Sequence, residues 1–405
     1  MHLKMVATVV GRSHPAPFGT LCGTLDSVRH FSAVPRVHRQ AILATLLSAF
    51  VRVHSWPLSP GSLTMPSPLR IGVLGLTHDH VWGELKHLAG LDDASLVAVA
   101  DPNQPLLDKA AEAYGCATHD RYDAMLEKES LDAVYIFGDN RTGAELIVQA
   151  AERGLPVLVE KPLAADFAGA RRAVAATEKA GVPLVVSWPF TWWPGLLHAM
   201  TLAGDGTIGD VFQVKYRAAH QGPKELGCSE YFWGWLYDAK LNGAGALMDY
   251  CCYGSVLAAA MFGRPRQVTG FADRFVKDHE VDDNAVILMR FARATAIAEA
   301  SWSQHDKLTA YVPYFYGTKG TLVAGSQTLT LANDDNPNGQ ALDVPRPPAD
   351  MASASAHFLH VVRDGGEPHP LCNVENNLIA QQILQAGLDA SNSGQTVTLD
   401  EPAKV

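Results

Sequence analysis

One lysine stands where an α/β sheet holds its ligands. Residues 155–159 form an apolar run that predicts a buried strand, and it leads directly into Glu160, Lys161 and Pro162. Side chains just beyond the carboxyl end of such a strand face the ligand crevice. Pro162 disfavours helical geometry at Lys161, so the ammonium is presented from an extended or turn backbone. The alternative is a strand that ends in a charged pair with no chemical role.

A second landmark lies upstream of this lysine. An apolar run ends in Gly75, and a further apolar run ends in Asp101, 26 residues later. Dinucleotide-binding folds place a carboxylate for the adenosine ribose about 20 residues after their glycine motif. The second and third glycines of that motif are replaced here by Thr77 and His80. The spacing therefore favours a dinucleotide site, but the glycine motif is incomplete.

The composition is typical of a large globular protein with about two domains. The chain has 405 residues, of which 47% are hydrophobic and 18% charged, enough to bury a sizeable core. A net charge of -10 without long charged runs argues against nucleic acid as a partner. The six cysteines show no Cys-x-x-Cys spacing. We expect reduced thiols in a reducing compartment, which favours the cytoplasm.

The first part of the chain differs in composition from the rest. The first 64 residues carry six basic residues and one acid, Asp26. Their only hydrophobic stretch, residues 41–51, is too short to span a bilayer and begins too late for an ordinary signal peptide. An Arg-rich, acid-poor leader is also found in transit peptides, but Met65, just before the first predicted strand, looks like a start. We expect residues 1–66 to be a disordered or non-native extension, and no membrane partner.

From residue 67 onward, short apolar runs alternate with helical stretches. This pattern is typical of a parallel sheet with crossover helices on both faces. It predicts a doubly wound α/β domain over residues 67–187. The predicted strands are 70–74, 96–100, 133–137, 157–159 and 184–186, and the predicted helices are 104–114, 122–127, 143–153 and 167–180.

Aromatic residues become frequent after the last of these strands. Residues 188–405 are predicted to form a second domain that is built on a sheet. Its predicted strands are 267–271, 285–291, 295–301 and 311–316. Aromatic side chains such as Trp188 and Trp235 could stack on a sugar ring at the crevice between the domains, or pack in the core.

The order and spacing of these motifs resemble the Gfo/Idh/MocA oxidoreductases over residues 69–399. The matching residues are Gly72, Gly75, Asp101, Asn140, Glu160, Lys161, Pro162, Asp249, Asn284, Gly317, Gly320 and Glu375. The resemblance implies an N-terminal Rossmann domain and a C-terminal α+β domain with a large, open, mixed and mainly antiparallel sheet. It also implies bound nicotinamide dinucleotide and hydride exchange with a sugar, polyol or related alcohol.

The resemblance carries two further expectations about architecture. Family members commonly pair through the open face of the second sheet, so we expect a homodimer or homotetramer. The last helix is expected to pack back on the Rossmann domain.

The family's usual Asp-x-x-x-His motif is altered because Tyr253 stands at the histidine position. A subgroup that resembles glucose-fructose oxidoreductase and dihydrodiol dehydrogenase has the same change. Asp249 and Tyr253 are four residues apart and share one face of a helix. A phenol, with a pKa of about 10, is a poor base unless a cation stabilises the phenolate, and Lys161 is the obvious cation.

The expected catalytic residues are Lys161, Tyr253 and Asp249. Oxidising an alcohol requires a base within reach of its hydroxyl proton. Lys161 and Tyr253 are expected to share the reacting oxygen, while Asp249 orients the substrate or the lysine. The alternatives are that Tyr253 packs in the domain interface and that Asp249 caps a helix. The expected substrate contacts are Lys161, Trp188, Trp235, Asp249 and Tyr253.

The resemblance also implies the cofactor contacts. These are Gly72, Gly75, Thr77, His78, His80, Asp101, Asn140, Glu160, Lys161 and Pro162. An acid at Asp101 repels a 2'-phosphate, so NAD is expected rather than NADP. His78 and His80 could be a metal pair, but relatives place backbone beside the pyrophosphate here. We expect them to contact the phosphates or line the pocket mouth, and we expect no metal.

Three functions fit these residues. The first is an NAD-dependent dehydrogenase or reductase that acts on a sugar-like hydroxyl or carbonyl. The second is a glycoside-cleaving enzyme that oxidises and re-reduces its substrate with tightly held NAD. The third is a dinucleotide-binding regulator without turnover, which the incomplete glycine motif would suit. Net NADH production separates the first from the other two.

Overall fold

The computed structural model describes residues 67–305 and 308–399. The predicted N-terminal extension lies outside the described residues. The first sheet is fully parallel, with the strand order β3-β2-β1-β4-β5-β6. Its strands are β1 (Leu69–Leu74), β2 (Ala94–Ala100), β3 (Ala117–His119), β4 (Ala133–Ile136), β5 (Val157–Glu160) and β6 (Leu184–Ser187).

Helices connect these strands and cover both faces of the sheet. They are α1 (His80–Leu88), α2 (Gln104–Tyr114), α3 (Tyr122–Lys128), α4 (Asn140–Ala151) and α5 (Phe167–Ala180). Every residue of β4, β5 and β6 is buried, which explains why these strands read as continuous apolar runs. The predicted Rossmann architecture is confirmed.

Two differences from the predicted elements have local causes. The strand β3 was missed because it has only three residues, none of them fully buried, and therefore no apolar run. The helix α4 begins at Asn140, three residues before the predicted start. Its N-cap is Asp139, whose carboxylate accepts hydrogen bonds from the backbone N–H groups of Arg141 and Thr142.

The second sheet has nine strands in the order β14-β13-β12-β11-β7-β10-β9-β8-β15. Only β7 and β10 pair in parallel, so the predicted mixed, mainly antiparallel sheet is confirmed. Its strands are β7 (Val211–Ala219), β8 (Gln267–Asp273), β9 (Asn284–Arg290), β10 (Thr295–Ser301), β11 (Tyr314–Gly317), β12 (Gly320–Ala324), β13 (Leu329–Ala332), β14 (Gln340–Leu342) and β15 (Val397–Thr398).

Six further helices belong to the second part of the chain. They are α6 (Pro194–Gly204), α7 (Glu230–Leu236), α8 (Ala239–Asn242), α9 (Cys252–Phe262), α10 (Ala354–Asp364) and α11 (Val374–Ser393). Of these, α6, α9 and α11 pack on strands of the second sheet, whereas α10 contacts α1 of the first domain. Two 3-10 helices, Pro189–Trp192 and Ala349–Met351, and a π-helical turn, Leu247–Cys251, complete the second part of the chain. The last long helix, α11, packs on α9 and β8 and also contacts α5 and β6.

The middle strand β7 was not predicted, although it joins the two halves of the sheet. Charged side chains at Lys215 and Arg217 alternate with buried Val214 and Tyr216, so the segment lacks a continuous apolar run. The predicted strand 311–316 begins only at Tyr314. Tyr311 has a positive φ of 61° and cannot belong to an extended strand.

One segment, Ala239–Phe262, is long and apolar enough to cross a membrane by length and composition. Its apolar window is 78% buried within the fold. The segment is therefore part of the hydrophobic core. It includes α9, which packs against β10 and α11.

Candidate active site

Lys161 and Asp249 form a buried ion pair just beyond the carboxyl end of β5. Lys161 Nζ donates to Asp249 Oδ1 at 2.6 Å and to the Asp249 backbone oxygen at 3.1 Å. The two side chains are 2% and 7% exposed. Burial lowers the pKa of Lys161, but the negative charges of Asp249 and Glu160, with the hydrogen bond to Asp249, outweigh it and raise the pKa above its ordinary value. Lys161 is therefore an ammonium at neutral pH.

Asp249 is presented by the π-helical turn Leu247–Cys251, not by a regular α-helix. Asp282 anchors the start of this turn, because its carboxylate accepts the backbone N–H groups of Gly245 at 2.6 Å and Leu247 at 2.7 Å. A Cβ at Gly245 would lie 2.0 Å from the Asp282 backbone oxygen, so only glycine fits there. Such π turns are frequent at functional sites.

The second carboxylate oxygen of Asp249 is also held. Trp302 Nε1 donates to Asp249 Oδ2 at 3.2 Å, and the Trp302 side chain is fully buried. Both oxygens therefore have a fixed partner, and Asp249 keeps one orientation toward Lys161. Sequence reasoning missed Trp302, since it follows β10 and lies 53 residues from Asp249.

Tyr253 lies in α9 with its ring face toward Lys161. The distance from Lys161 Nζ to the ring centroid is 5.1 Å. The ring is packed by Phe190, Trp188 and Tyr216 at centroid distances of 5.1, 5.3 and 5.8 Å. Burial first, and then nearby negative charge, raises the pKa of Tyr253 well above its ordinary value. The hypothesis that Lys161 stabilises a Tyr253 phenolate requires a lowered pKa, so the shift has the opposite direction.

The two tryptophans expected at the substrate lie in different surroundings. Trp188 is 1% exposed, and its Nε1 donates to Asn377 Oδ1 at 2.9 Å. Its indole is enclosed by protein in this structure, as is the Lys161–Asp249 pair, and its predicted contact with the substrate stays a prediction. Trp235 packs beside His78 and Phe232, at centroid distances of 5.8 and 5.4 Å. Its buried Nε1 has no hydrogen-bond partner among the described residues.

The strand order of the first sheet reverses between β1 and β4, which is where such sheets bind dinucleotides. Gly75 directly follows β1 with a φ of 87°, and a Cβ there would lie 2.7 Å from the backbone nitrogen of Gly138. Only glycine fits this turn. Gly72, by contrast, lies inside β1, where a Cβ would meet the side chains of Leu131 and Met125. Its surroundings require glycine for packing, and its predicted cofactor contact stays a prediction.

The loop after Gly75 leads into the N-terminus of α1. Its N-cap residue, Asp79, makes no side-chain capping bond, because its carboxylate accepts the backbone N–H and the hydroxyl of Ser229. Thr77 is partly exposed beside it, His78 is buried, and His80 is the first helical residue. His80 Nδ1 lies 3.0 Å from Glu160 Oε1. The Gly75 turn at the switch point of the sheet fits a dinucleotide that lies beside the start of α1.

His78, His80 and Glu160 bring three possible metal-ligand atoms within 4.8 Å of one another. The group contains a single carboxylate, and the Lys161 ammonium is the next residue in the chain. The positive end of the α1 dipole adds to that charge. These charges oppose a divalent cation, and the expectation of no metal stays a prediction.

Asp101 and Asn140 are both engaged with protein groups. Asp101 is fully buried; its carboxylate accepts the backbone N–H groups of Leu76 at 2.7 Å and Asn103 at 2.8 Å. Burial raises the pKa of Asp101, although these hydrogen bonds oppose that effect. Asn140 Nδ2 donates to Asn242 Oδ1 at 2.8 Å and so ties α4 to α8. Asn242, which sequence reasoning missed, is fully buried.

Pro162 follows the lysine through a cis peptide bond and, with Glu160 and Gly138, lines a crevice beside the start of α4. The structure thus brings Lys161, Asp249 and the Tyr253 ring together, and it joins Glu160 at the end of β5 to His80 at the start of α1. The predicted roles of these residues stay predictions.

Comparisons with known proteins agree with this architecture. Residues 69–188 match the model of an oxidoreductase family with an NAD-binding Rossmann fold, and residues 196–323 match the GFO/IDH/MocA C-terminal domain. The two matches together cover more than half of the chain.

Two curated relatives and one solved structure are representative. The chain is 27% identical to D-apiose dehydrogenase of Paraburkholderia graminis, over 81% of this chain and 88% of the relative. It is 24% identical to the NAD⁺-dependent scyllo-inositol 2-dehydrogenase of Bacillus subtilis, over 83% and 98%. The fold is similar to that of the aldose-aldose oxidoreductase from Caulobacter crescentus, with a TM-score of 0.69, 22% identity, and coverage of 82% and 100%.

Two successive family domains, in the order that the two sheets require, account for most of the described chain. The protein therefore belongs to the Gfo/Idh/MocA family of oxidoreductases, with an NAD-binding Rossmann domain followed by the family's C-terminal domain.

Proposed function

We propose that this oxidoreductase transfers hydride between NAD and a CH–OH or carbonyl carbon of a neutral sugar or polyol. The observation that carries the proposal is the buried Lys161–Asp249 pair beside the crevice of the NAD-binding domain. Relatives named as dehydrogenases of D-apiose and scyllo-inositol support the substrate class. Phe232 and Trp235, packed around His78, support a largely apolar wall for the crevice.

Lys161 carries the proton in this proposal. The chemistry that bound NAD supplies is reversible uptake of hydride. In the reduction, the Lys161 ammonium donates a hydrogen bond to the carbonyl oxygen and then its proton as charge develops there. Asp249 holds the ammonium in place, and a proton from solvent restores the charged state after each reduction. In the oxidation, the same nitrogen must be neutral to accept the hydroxyl proton.

Tyr253 acts in this proposal as a neutral phenol. Its burial opposes a phenolate, and Lys161 already donates to Asp249 rather than to the phenol oxygen. Its ring forms the wall on which the Lys161 ammonium rests, a cation–π contact worth about 0.5–2 kcal/mol. This replaces the expectation that Lys161 turns Tyr253 into a base.

NADH formation tests the proposed function. Incubation with NAD⁺ and a panel of neutral aldoses and polyols, including D-apiose, scyllo-inositol and D-xylose, is expected to give stoichiometric NADH with at least one member. Release of aglycone from glycosides without net NADH would instead indicate the glycoside-cleaving alternative. NAD binding without any turnover on either panel would indicate a regulator.

We propose that Asp101 selects NAD over NADP through its charge. The change Asp101→Asn keeps an acceptor for the Leu76 or Asn103 N–H group but removes the charge that repels a 2'-phosphate. We expect the ratio of the NADP to the NAD dissociation constant to fall by roughly 10–100-fold, the range of one charged hydrogen bond. Titration calorimetry with both cofactors measures this ratio.

The matched control for this prediction is Asp108→Asn. Asp108 is an exposed carboxylate on α2, the helix that follows Asp101. Its replacement should leave both dissociation constants unchanged. An unchanged ratio in Asp101→Asn, in a protein with wild-type thermal stability, would show that Asp101 has only a structural role.

We propose that two copies of the chain pair through the open face of the nine-stranded sheet. The helices α9 and α11 cover the other face, and buried residues alternate with less buried ones along β8, β9 and β10. On the open face, Phe271 is 69% exposed and Leu288 is 44% exposed. Large apolar side chains on an uncovered sheet face favour an interface.

The double change Phe271→Lys/Leu288→Lys is expected to convert a dimer or tetramer into smaller species, since it places two charges in an apolar interface. Light scattering coupled to gel filtration measures the mass. The control is Phe275→Lys, which alters a side chain that is 72% exposed but lies outside the strands. A monomeric wild type, or a mass unaffected by the double change, contradicts the proposed interface.

We propose the boundary between the two domains at residues 187 and 188, since β6 ends at Ser187 and all later strands belong to the second sheet.

The five described cysteines are free. This supports a reducing compartment, and we propose the cytoplasm.

A further inference from the structure

Three polar side chains beside the Lys161–Asp249 pair have no role in the proton transfer. They are His220, Tyr250 and Tyr311, which come from the end of β7, the π-helical turn and the segment before β11. The Tyr250 ring lies 5.7 Å from Lys161 Nζ and 4.9 Å from the His220 ring. They therefore border the position of a substrate whose reacting oxygen contacts Lys161.

His220 is fixed as a neutral hydrogen-bond donor. The backbone N–H of Gly222 donates to His220 Nδ1 at 2.8 Å, so the ring proton resides on Nε2. Burial lowers the pKa of His220 to about 4, although the charge of Asp249 partly opposes the shift. Among the described residues no hydrogen bond reaches Nε2, which leaves its N–H group for another acceptor.

Tyr250 and Tyr311 form a hydroxyl pair next to this imidazole. The two oxygens are 3.0 Å apart, with the Tyr311 hydroxyl donating to that of Tyr250. The Tyr250 hydroxyl therefore keeps its own proton for a further acceptor. Burial raises the pKa of both phenols, that of Tyr311 to about 12, so both stay neutral.

Tyr311 occupies this position with a strained backbone conformation. Its φ of 61° is the only positive value among the described residues other than glycine. Its backbone N–H donates to the Arg217 oxygen on β7 at 2.7 Å, which fixes the conformation. A bulky residue in this region costs of order 1–3 kcal/mol, and such strain concentrates at ligand-binding sites.

We propose that His220, Tyr250 and Tyr311 form a second hydroxyl-binding subsite, which receives a non-reacting hydroxyl of a neutral, polyhydroxylated substrate. The position of the reacting hydroxyl rests on the proposed function. The Lys161 and Asp249 charges cancel, and the three subsite groups are uncharged, so no net positive charge is available for a phosphate or carboxylate. The subsite thus selects an unphosphorylated sugar or polyol that carries at least two hydroxyls.

The test uses titration calorimetry on the full chain saturated with NADH. The probes are D-glucose, D-xylose and myo-inositol, together with D-glucose 6-phosphate. The variants are Tyr311→Phe and His220→Leu, each of which removes one group of the subsite. Each is expected to raise the dissociation constant of the bound neutral sugar by roughly 3–10-fold, the range of one neutral hydrogen bond.

Two further variants separate recognition from folding. His220→Gln keeps an N–H donor and is expected to lose less affinity than His220→Leu. Tyr114→Phe removes a hydroxyl on α2, in the first domain, and should bind as the wild type does. A fall in affinity for Tyr311→Phe and His220→Leu, with NADH still bound, supports the subsite.

Three results overturn it: no neutral probe binds the wild type, D-glucose 6-phosphate binds more tightly than D-glucose, or both variants bind as the wild type does. The proposed function fails separately. If the neutral sugars bind and the variants weaken them, but no sugar or polyol reduces NAD⁺, the subsite stands and the hydride transfer is wrong.

Discussion

Lys161→Met should lower kcat by about 10²–10⁴-fold, the range of a positioned proton-transfer group. Methionine preserves the length of the side chain but removes the proton and the charge that faces the reacting oxygen. NAD should still bind, since the Gly75 turn and the N-terminus of α1 are unchanged. Steady-state NADH formation on the best substrate of the sugar and polyol panel measures the loss.

The matched control is Lys240→Met. Lys240 is an exposed lysine in α8 with no contact to Asp249 among the described residues. Its replacement should change kcat less than threefold. A Lys161→Met protein that is folded, binds NAD and retains turnover within threefold of the wild type would remove Lys161 from the proton transfer.

Asp249→Leu should destabilise the fold by about 3–5 kcal/mol, because it leaves the Lys161 ammonium buried without its partner. The double variant Lys161→Met/Asp249→Leu replaces both charges by apolar groups and should regain most of that loss. Urea unfolding of the wild type, both single variants and the double variant completes the cycle.

The pH dependence of this destabilisation has a defined sign. The pKa of Lys161 is raised in the folded protein, so the stabilisation is complete below its unfolded pKa, about 10.4. It disappears only as pH rises through the higher folded value. In Asp249→Leu, burial without the partner lowers the pKa of Lys161 below its unfolded value, so the variant relieves its penalty by deprotonation. The difference between wild type and Asp249→Leu should therefore shrink as pH rises toward about 10. Additive losses in the double variant would show that the two charges are not coupled.

Much of the fold was predictable because the strands β4, β5 and β6 of the first sheet are buried throughout. Buried strands such as β5 give continuous apolar runs, and the position of Lys161 follows from the end of β5. The order of the motifs also predicted that Asp249 would accompany it. β7 escaped prediction because Lys215 and Arg217 interrupt its apolar pattern.

The details of the site depend on contacts between distant segments. The π-helical turn depends on Asp282, which lies 37 residues from Gly245 and 35 from Leu247. The orientation of Asp249 depends on Trp302. Neither contact has a local sequence signal, so a regular helix was the natural expectation.

The role of Tyr253 changed for a related reason. Spacing predicted that it would lie near Lys161, and the two side chains do approach each other. Its pKa depends on Phe190, Trp188 and Tyr216, which come from two other segments and bury the ring. Only the folded structure shows that burial, which raises the pKa of Tyr253, outweighs the effect of the nearby Lys161 ammonium.

The pH dependence of kcat for NADH formation tests most directly whether Lys161 carries the proton. Since oxidation needs a neutral Lys161 and its pKa is raised, kcat should rise nearly tenfold per pH unit up to about pH 10, without a plateau. Tyr253→Phe should keep this rise, and Lys161→Met should lose it. A plateau at neutral pH in the wild type, or a rise that disappears in Tyr253→Phe and persists in Lys161→Met, would contradict the account.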